Sequence, residues 1–282
     1  MNPRKKSAFL NNTEGCTIHM DFNQTTVLNS QENNDPNSRL VQLVLLVSSG
    51  IIINGGETSR ADACASNMLR ANGGNDIQIF SLPTVVIITV TITGKSYMKM
   101  KSITTRDYDL GRIDLLNKIS RAITEHSMTV EEAFTELEKP EKKFNYFFIA
   151  LFSGLSAAFF TIMFDGGILE FISAVIASCL CQITVDSMQK HGVFLFVANV
   201  VGSFITAVAA IALNYLINSD VSIVIIGGII PLVPGLAVTN ATRDSVNGDL
   251  VSGSARWLDS IVTAISIAAG VGVALALEKL LT

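Results

Sequence analysis

Between residues 239 and 256 the chain gathers groups that could handle a small charged solute: Thr239, Asn240, Arg243, Asp244, Asn247, Asp249 and Arg256. A guanidinium grips a carboxylate through two parallel hydrogen bonds, a task open to Arg243. An aspartate in apolar surroundings can hold an ammonium group or carry a proton, a task open to Asp244 and Asp249. The competing reading is a polar loop over residues 243–254 whose solvated charges only orient the protein. Asp249 and Arg256 suit that reading equally well. Asp186 and Asn199 stand inside apolar stretches and are candidates to line a pathway. Asp186, near the end of its stretch, could equally reach out to an interface.

Little else in the chain offers chemistry. Gly94-Lys95-Ser96 imitates the end of a phosphate loop, but the first glycine of that motif would fall at Thr89, and the context is a hairpin. His19, His126 and His191 have no companions at metal-ligand spacing. Cys179 and Cys181, two apart on an expected helix, point to different sides, and Cys16 and Cys64 are isolated. No Gly-x-Ser-x-Gly motif, Cys/His pairing or carboxylate cluster supports catalysis. Glu57 and Arg60, one helical turn apart, read as a local ion pair. The expectation is therefore no catalytic residue, no metal and no cofactor, and no basic tract calls for nucleic acid.

What must position the polar cluster is the segment GGIIPLVPG at residues 227–235. Gly227, Gly228, Pro231, Pro234 and Gly235 interrupt what would otherwise be a membrane helix. A span can give up helical backbone bonds only where protein or a water-filled cavity satisfies the freed groups. Interrupted spans are where secondary transporters tend to place substrate sites. A half-helix resuming after Pro231 or Pro234 would offer backbone N–H groups and a positive dipole end to an anion.

The surroundings are those of a membrane protein. Hydrophobic residues make up 49% of the chain and mean hydropathy is +0.45, high for a soluble protein. Only twelve Lys, Arg, Asp and Glu residues follow residue 143. Five segments, 145–164, 168–188, 192–217, 221–242 and 255–277, are long enough for the ~20 residues that a helical crossing needs. Lys139, Lys142, Lys143, Lys190, Arg243 and Arg256 flank alternate ends, which places the N-terminus in the cytoplasm and, after five spans, the C-terminus outside. Small residues such as Gly154, Ala157, Ala158, Gly202, Ser203 and Gly270 allow close helix approach in lipid.

The other half is polar. Residues 1–36 read as a disordered extension without a signal peptide. Residues 38–53 are apolar but too short and too interrupted to span, and read as a buried helix. Residues 57–71 form an amphipathic helix; strands follow at 77–80, 85–91 and 96–102, then helices at 109–126 and from Thr129, whose pairing with Glu132 forms a capping box. The expected architecture is a cytosolic α+β domain at 37–143 followed by a five-helix α-helical, multi-pass transmembrane domain at 144–282.

Two stretches resemble the threonine/serine exporter (ThrE) family, in particular its split, half-length members of the YjjP type. They are GGETSRAD (55–62) and, more specifically, PLVPGLAVTNATRDSVNGDLVSG (231–253) with Arg256 following. The resemblance covers roughly residue 37 to the C-terminus. It implies an inner-membrane exporter of threonine and serine or, for split members, of a dicarboxylate such as succinate. It lends weight to Pro231, Pro234, Gly235, Thr239, Asn240, Arg243, Asp244, Gly248, Asp249 and Gly253. Full-length relatives carry about ten spans, so a five-span chain implies a second small multi-pass membrane subunit; a homo-oligomer is also open. The rival classes are a membrane-anchored hydrolase and a sensor, and neither explains the broken fourth span.

Overall fold

The computed structural model describes residues 35–104, 107–139 and 145–281. The expected extension at 1–36, Cys16, His19, Lys142 and Lys143 lie outside these residues, except Asp35 and Pro36, which cap and open the first helix. The described chain forms helices α1 (Pro36–Ile53) and α2 (Thr58–Ala71), strands β1 (Gly74–Leu82), β2 (Val85–Ile92) and β3 (Lys95–Ser102), then α3 (Leu110–Thr124), α4 (Val130–Glu138), α5 (Tyr146–Met163), α6 (Ile168–Lys190), α7 (Leu195–Ile217), α8 (Val221–Ile229), a 3-10 turn (Ile230–Leu232), α9 (Gly235–Val246) and α10 (Leu250–Leu281). These group into two compact units. One holds Tyr146–Leu232 and the end of α10 from Ser266; the other holds the described residues up to Asn145 together with Val233–Ile265.

The unit containing the N-terminal elements is built on α1. A helix that is apolar all round must be covered on every side. Leu43, Val44, Leu45, Leu46, Val47, Ile51 and Ile52 are fully buried, against α2, α3 and the sheet. Asp35 accepts from the Asn37 N–H at the start of α1 and also receives the Tyr97 hydroxyl at 2.7 Å, which ties the helix start to β3. The sheet is an antiparallel meander, β1-β2-β3. Thr93 and Gly94 both take positive φ, so the β2–β3 connection is a tight hairpin and not a phosphate loop. Val86, Ile88 and Val90 face the core in register with Lys101, Lys99 and Tyr97. The inward face of β3 thus carries the lysines, and Met98 and Met100 are exposed. Long lysine stems can cover apolar surface in this way. Thr129 and Glu132 close the capping box of α4.

The other unit is organised inside-out by comparison. Phe147, Phe152, Phe159, Met163 and Ile168 point outward, whereas Gly154, Ala157, Ala158, Ala174, Ala177, Ala207 and Ala210 are buried between helices. Lipid offers large apolar side chains as good a home as protein does, so close packing of small residues carries the association. Hydroxyl pairs cross the helix contacts, Ser153 with Ser178 at 3.2 Å and Ser173 with Ser219 at 3.1 Å.

By length and hydropathy α1, α5, α6, α7 and α10 could each cross a membrane, and α8 with α9 forms a sixth, broken candidate. Over its apolar stretch α1 is 78% buried, and the other four unbroken candidates are only 28–39% buried. That difference separates a helix enclosed by protein from helices that present apolar surface outward. The break after α8 coincides with the passage from one unit to the other at Leu232 and Val233.

Candidate functional site

The polar cluster is assembled by α9, the start of α10 and the turn between α1 and α2. On α9, Ala237, Asn240, Ala241 and Asp244 form a buried stripe at helical spacing. The turn that receives this stripe depends on glycine. Gly55 has φ +85°, and a Cβ there would meet the Tyr108 ring at 2.4 Å, so the position excludes other side chains. The turn presents two carbonyls to the incoming helices. Asn240 donates through Nδ2 to the Gly55 carbonyl at 2.7 Å, and Arg256 donates through Nη2 to the Gly56 carbonyl at 2.8 Å.

Charge is organised in two layers. Inside, Arg256 and Asp244 form an ion pair, Nε to Oδ2 at 3.1 Å, with side chains only 5% and 0% exposed. Thr58, the first residue of α2, donates its hydroxyl to the same Asp244 Oδ2 at 3.2 Å. A buried ion pair offsets its desolvation cost only when further hydrogen bonds complete it, and Thr58 and the Gly56 carbonyl contribute two here. At the rim, Arg243 pairs with Glu57; its side chain is half exposed. Asn247 donates to the Ser59 hydroxyl at 3.3 Å beside it. The Gly248 turn, at φ +94°, sends the chain back along α9 into α10. Gly253 lets the two helices touch: a Cβ there would lie 3.0 Å from the Ala241 carbonyl and still closer to the Ser245 hydroxyl.

Asp62 lies one turn after Thr58, on the same face of α2. Its Oδ1 is buried and accepts no hydrogen bond, and the same holds for Oδ1 of Asp244. Burial pushes the Asp62 carboxyl up to about 6; contact with the Ser81 hydroxyl opposes this, and the charges of Asp249 and Asp244 add to it.

The expected site residues divide as follows. Asn240, Arg243, Asp244 and Arg256 are brought together, with Asp249 half-buried nearby. Thr239 is not part of the group; it is exposed and its hydroxyl returns to the Gly235 carbonyl of its own helix. Pro231 lies in the 3-10 turn, and Pro234 with Gly235 starts α9, so these three make the break. Gly227 and Gly228 do not; they lie inside α8, where their lack of a side chain admits Thr161 of α5 and Thr206 of α7. Asp186 and Asn199 belong to the other unit. Asp186 accepts from Gln182 at 2.8 Å at the end of a polar seam through Ser178 and Ser153, and Asn199 is buried in α7.

Two readings of the sequence are corrected. Glu57 does not pair with Arg60: it reaches Arg243, while Arg60 donates to Asn117 on α3 at 3.3 Å. The buried cation beside Asp244 is Arg256, which a loop reading had left near the solvent. Glu57, Thr58 and Asp62 were missed as site residues because more than 180 positions separate them from their partners. The signal that contained them was the weaker stretch, GGETSRAD.

Long outward-facing apolar helices and a broken helix pair define a multi-pass membrane protein. The chain belongs to the threonine/serine exporter family: the family model described as "Putative threonine/serine exporter" matches residues 42–278. It is similar to a threonine/serine exporter of Corynebacterium glutamicum, 26% identical over 177 residues, 61% of this chain and 36% of that protein. A "Probable threonine/serine exporter" of Mycobacterium tuberculosis is 22% identical over 243 residues, 84% of this chain and 46% of that protein. The "Probable succinate transporter subunit YjjP" of Escherichia coli is 23% identical over 244 residues, 80% of this chain and 89% of that protein. The chain therefore spans less than half the length of the two exporters and most of the length of the transporter subunit. No solved structure matches it.

Proposed function

We propose that this chain is one membrane subunit of a secondary exporter of small carboxylate-bearing metabolites. Threonine and serine are the first substrates to test, and a dicarboxylate such as succinate is the alternative. In this reading it works with a second small multi-pass membrane protein, and it moves its substrate without making or breaking bonds. The printed name of the Escherichia coli relative, a transporter subunit matched over 89% of its length, supports the reading of a partner. Five spans, α5, α6, α7, the α8–α9 pair and α10, fit a location in the inner membrane. Lysine and arginine placement favours a cytoplasmic N-terminus, an α+β domain on the cytosolic side and an outer C-terminus.

The observation that carries the reading is the rim pair. Arg243 is a half-exposed guanidinium already holding a carboxylate, that of Glu57. A substrate carboxylate can take the place of Glu57 on the same donors, as a two-pronged partner. Asn240 and the buried Asp244–Arg256 pair hold α9 in position beneath it.

The test is transport by vesicles holding the chain and its partner. Arg243→Ala should lower flux roughly 10- to 100-fold, as expected for loss of a charge-assisted bond of about 1.5–3 kcal/mol. Glu57→Gln removes the competing carboxylate and should lower KM several-fold with the maximal rate retained. Unchanged flux in Arg243→Ala, with normal insertion, would remove Arg243 from the substrate site.

A further inference from the structure

We propose that Asp62, beside the buried Asp244 at the junction of α2, α9 and α10, is a proton-binding site. The proposal rests on the exporter reading only in assigning that proton to transport; the binding itself does not depend on it.

The geometry comes first. Thr58 and Asp62 are four residues apart, so both side chains leave the same face of α2. Thr58 reaches Asp244, which fixes that face against α9. Asp244 has no exposed surface, and only its Oδ2 is engaged, by Arg256 and Thr58. Its Oδ1 is buried without a donor, and so is Oδ1 of Asp62. A buried carboxylate oxygen without a donor carries the full cost of desolvation. A proton on Asp62 removes that cost there, and the negative charge of Asp244 nearby favours its uptake.

The neighbours set the strength of the site. Arg256 neutralises the Oδ2 side of Asp244, while Asp249, from the turn before α10, adds negative charge toward Asp62. β1 contributes the Ser81 hydroxyl. Glu57, also on the near side, is held by Arg243. α3 meets the opposite side of α2, where Arg60 donates to Asn117. The pull of burial and of Asp249 outweighs Ser81, and the Asp62 carboxyl titrates at about 6, close enough to neutrality for uptake and release across a membrane carrying a pH difference.

The experiment is an infrared pH titration of the purified full-length chain, following the protonated carboxyl band, alongside vesicle transport measured at several pH values. The unmodified chain should show a carboxyl titrating near 6. Asp62→Asn should abolish that step while leaving the folded state intact by circular dichroism. Asp249→Asn, a change on a partly exposed turn, should keep the step and move its midpoint down, because it removes a neighbouring negative charge. In transport, Asp62→Asn should flatten the dependence of flux on pH. Persistence of the step in Asp62→Asn, or an Asp249→Asn midpoint that stays put or rises, would overturn the site. A titrating Asp62 with exchange that is equally pH-dependent in Asp62→Asn would overturn its role in transport. Absence of exchange in the unmodified chain with its partner would instead defeat the exporter reading and leave the proton step standing.

Discussion

Asp244 and Arg243 are adjacent in sequence and opposite in energetics. Arg243 sits at a half-exposed rim, where an ion pair is worth about 0.2–1 kcal/mol, so Arg243→Ala should barely change stability. Arg256 is buried on Asp244, and Arg256→Ala leaves a buried charge without its partner. A loss of roughly 3–5 kcal/mol is expected, seen as a large drop in thermal midpoint in detergent. Equal midpoints for the two variants would contradict this division. Asp62 makes a prediction of opposite sense in pH. Its carboxyl is raised in the folded protein from 3.8 to about 6, so the folded state binds the proton more tightly than the unfolded chain does. Its contribution to stability is therefore greatest below about 4 and is lost as pH rises through about 6. Across that window the difference in thermal midpoint between Asp62→Asn and the unmodified chain should grow in favour of the variant as pH rises. A constant difference would mean that Asp62 does not titrate there.

At the scale of elements, the α9–α10 hairpin is the piece that makes the site. Its two helices touch at Gly253, against the Ala241 carbonyl and Ser245. Gly253→Val should therefore force the helices apart at a cost of about 1–3 kcal/mol and weaken transport together with stability. The same change at the exposed Gly235, where a Cβ meets nothing within 4 Å, should not separate the helices. Matching effects at both positions would argue against the close contact. Much of this layer was legible from sequence. Hydrophobic length placed α5, α6, α7 and α10, the prolines placed the break, and the Thr129–Glu132 spacing placed a cap. The pairing of α9 with the Gly55–Gly56 turn was not legible, because it depends on contacts across more than 180 residues. Composition also misread Gly227 and Gly228: glycine in a helix can mark a break or a close neighbour, and only the presence of Thr161 and Thr206 decides between them. The strand at 96–102 was legible, but not that its lysine face would turn inward.

Over the whole chain, residues 233–242 and 255–265 read as parts of membrane spans, yet they cluster with the N-terminal elements. Asn240, Asp244 and Arg256 explain why: their polar groups find partners in the α1–α2 turn and α2 that lipid cannot offer. The exporter-family membership and the likeness to a transporter subunit bear on the central proposal, that this chain is a carboxylate exporter's subunit working with a second membrane protein. The direct measurement is efflux of labelled threonine, serine and succinate from vesicles holding the chain alone, or the chain with the proposed second small membrane protein. The account predicts efflux of at least one of the three only when both are present, and its loss in Arg243→Ala. Full efflux by the chain alone, or none of the three with both proteins inserted, would contradict it.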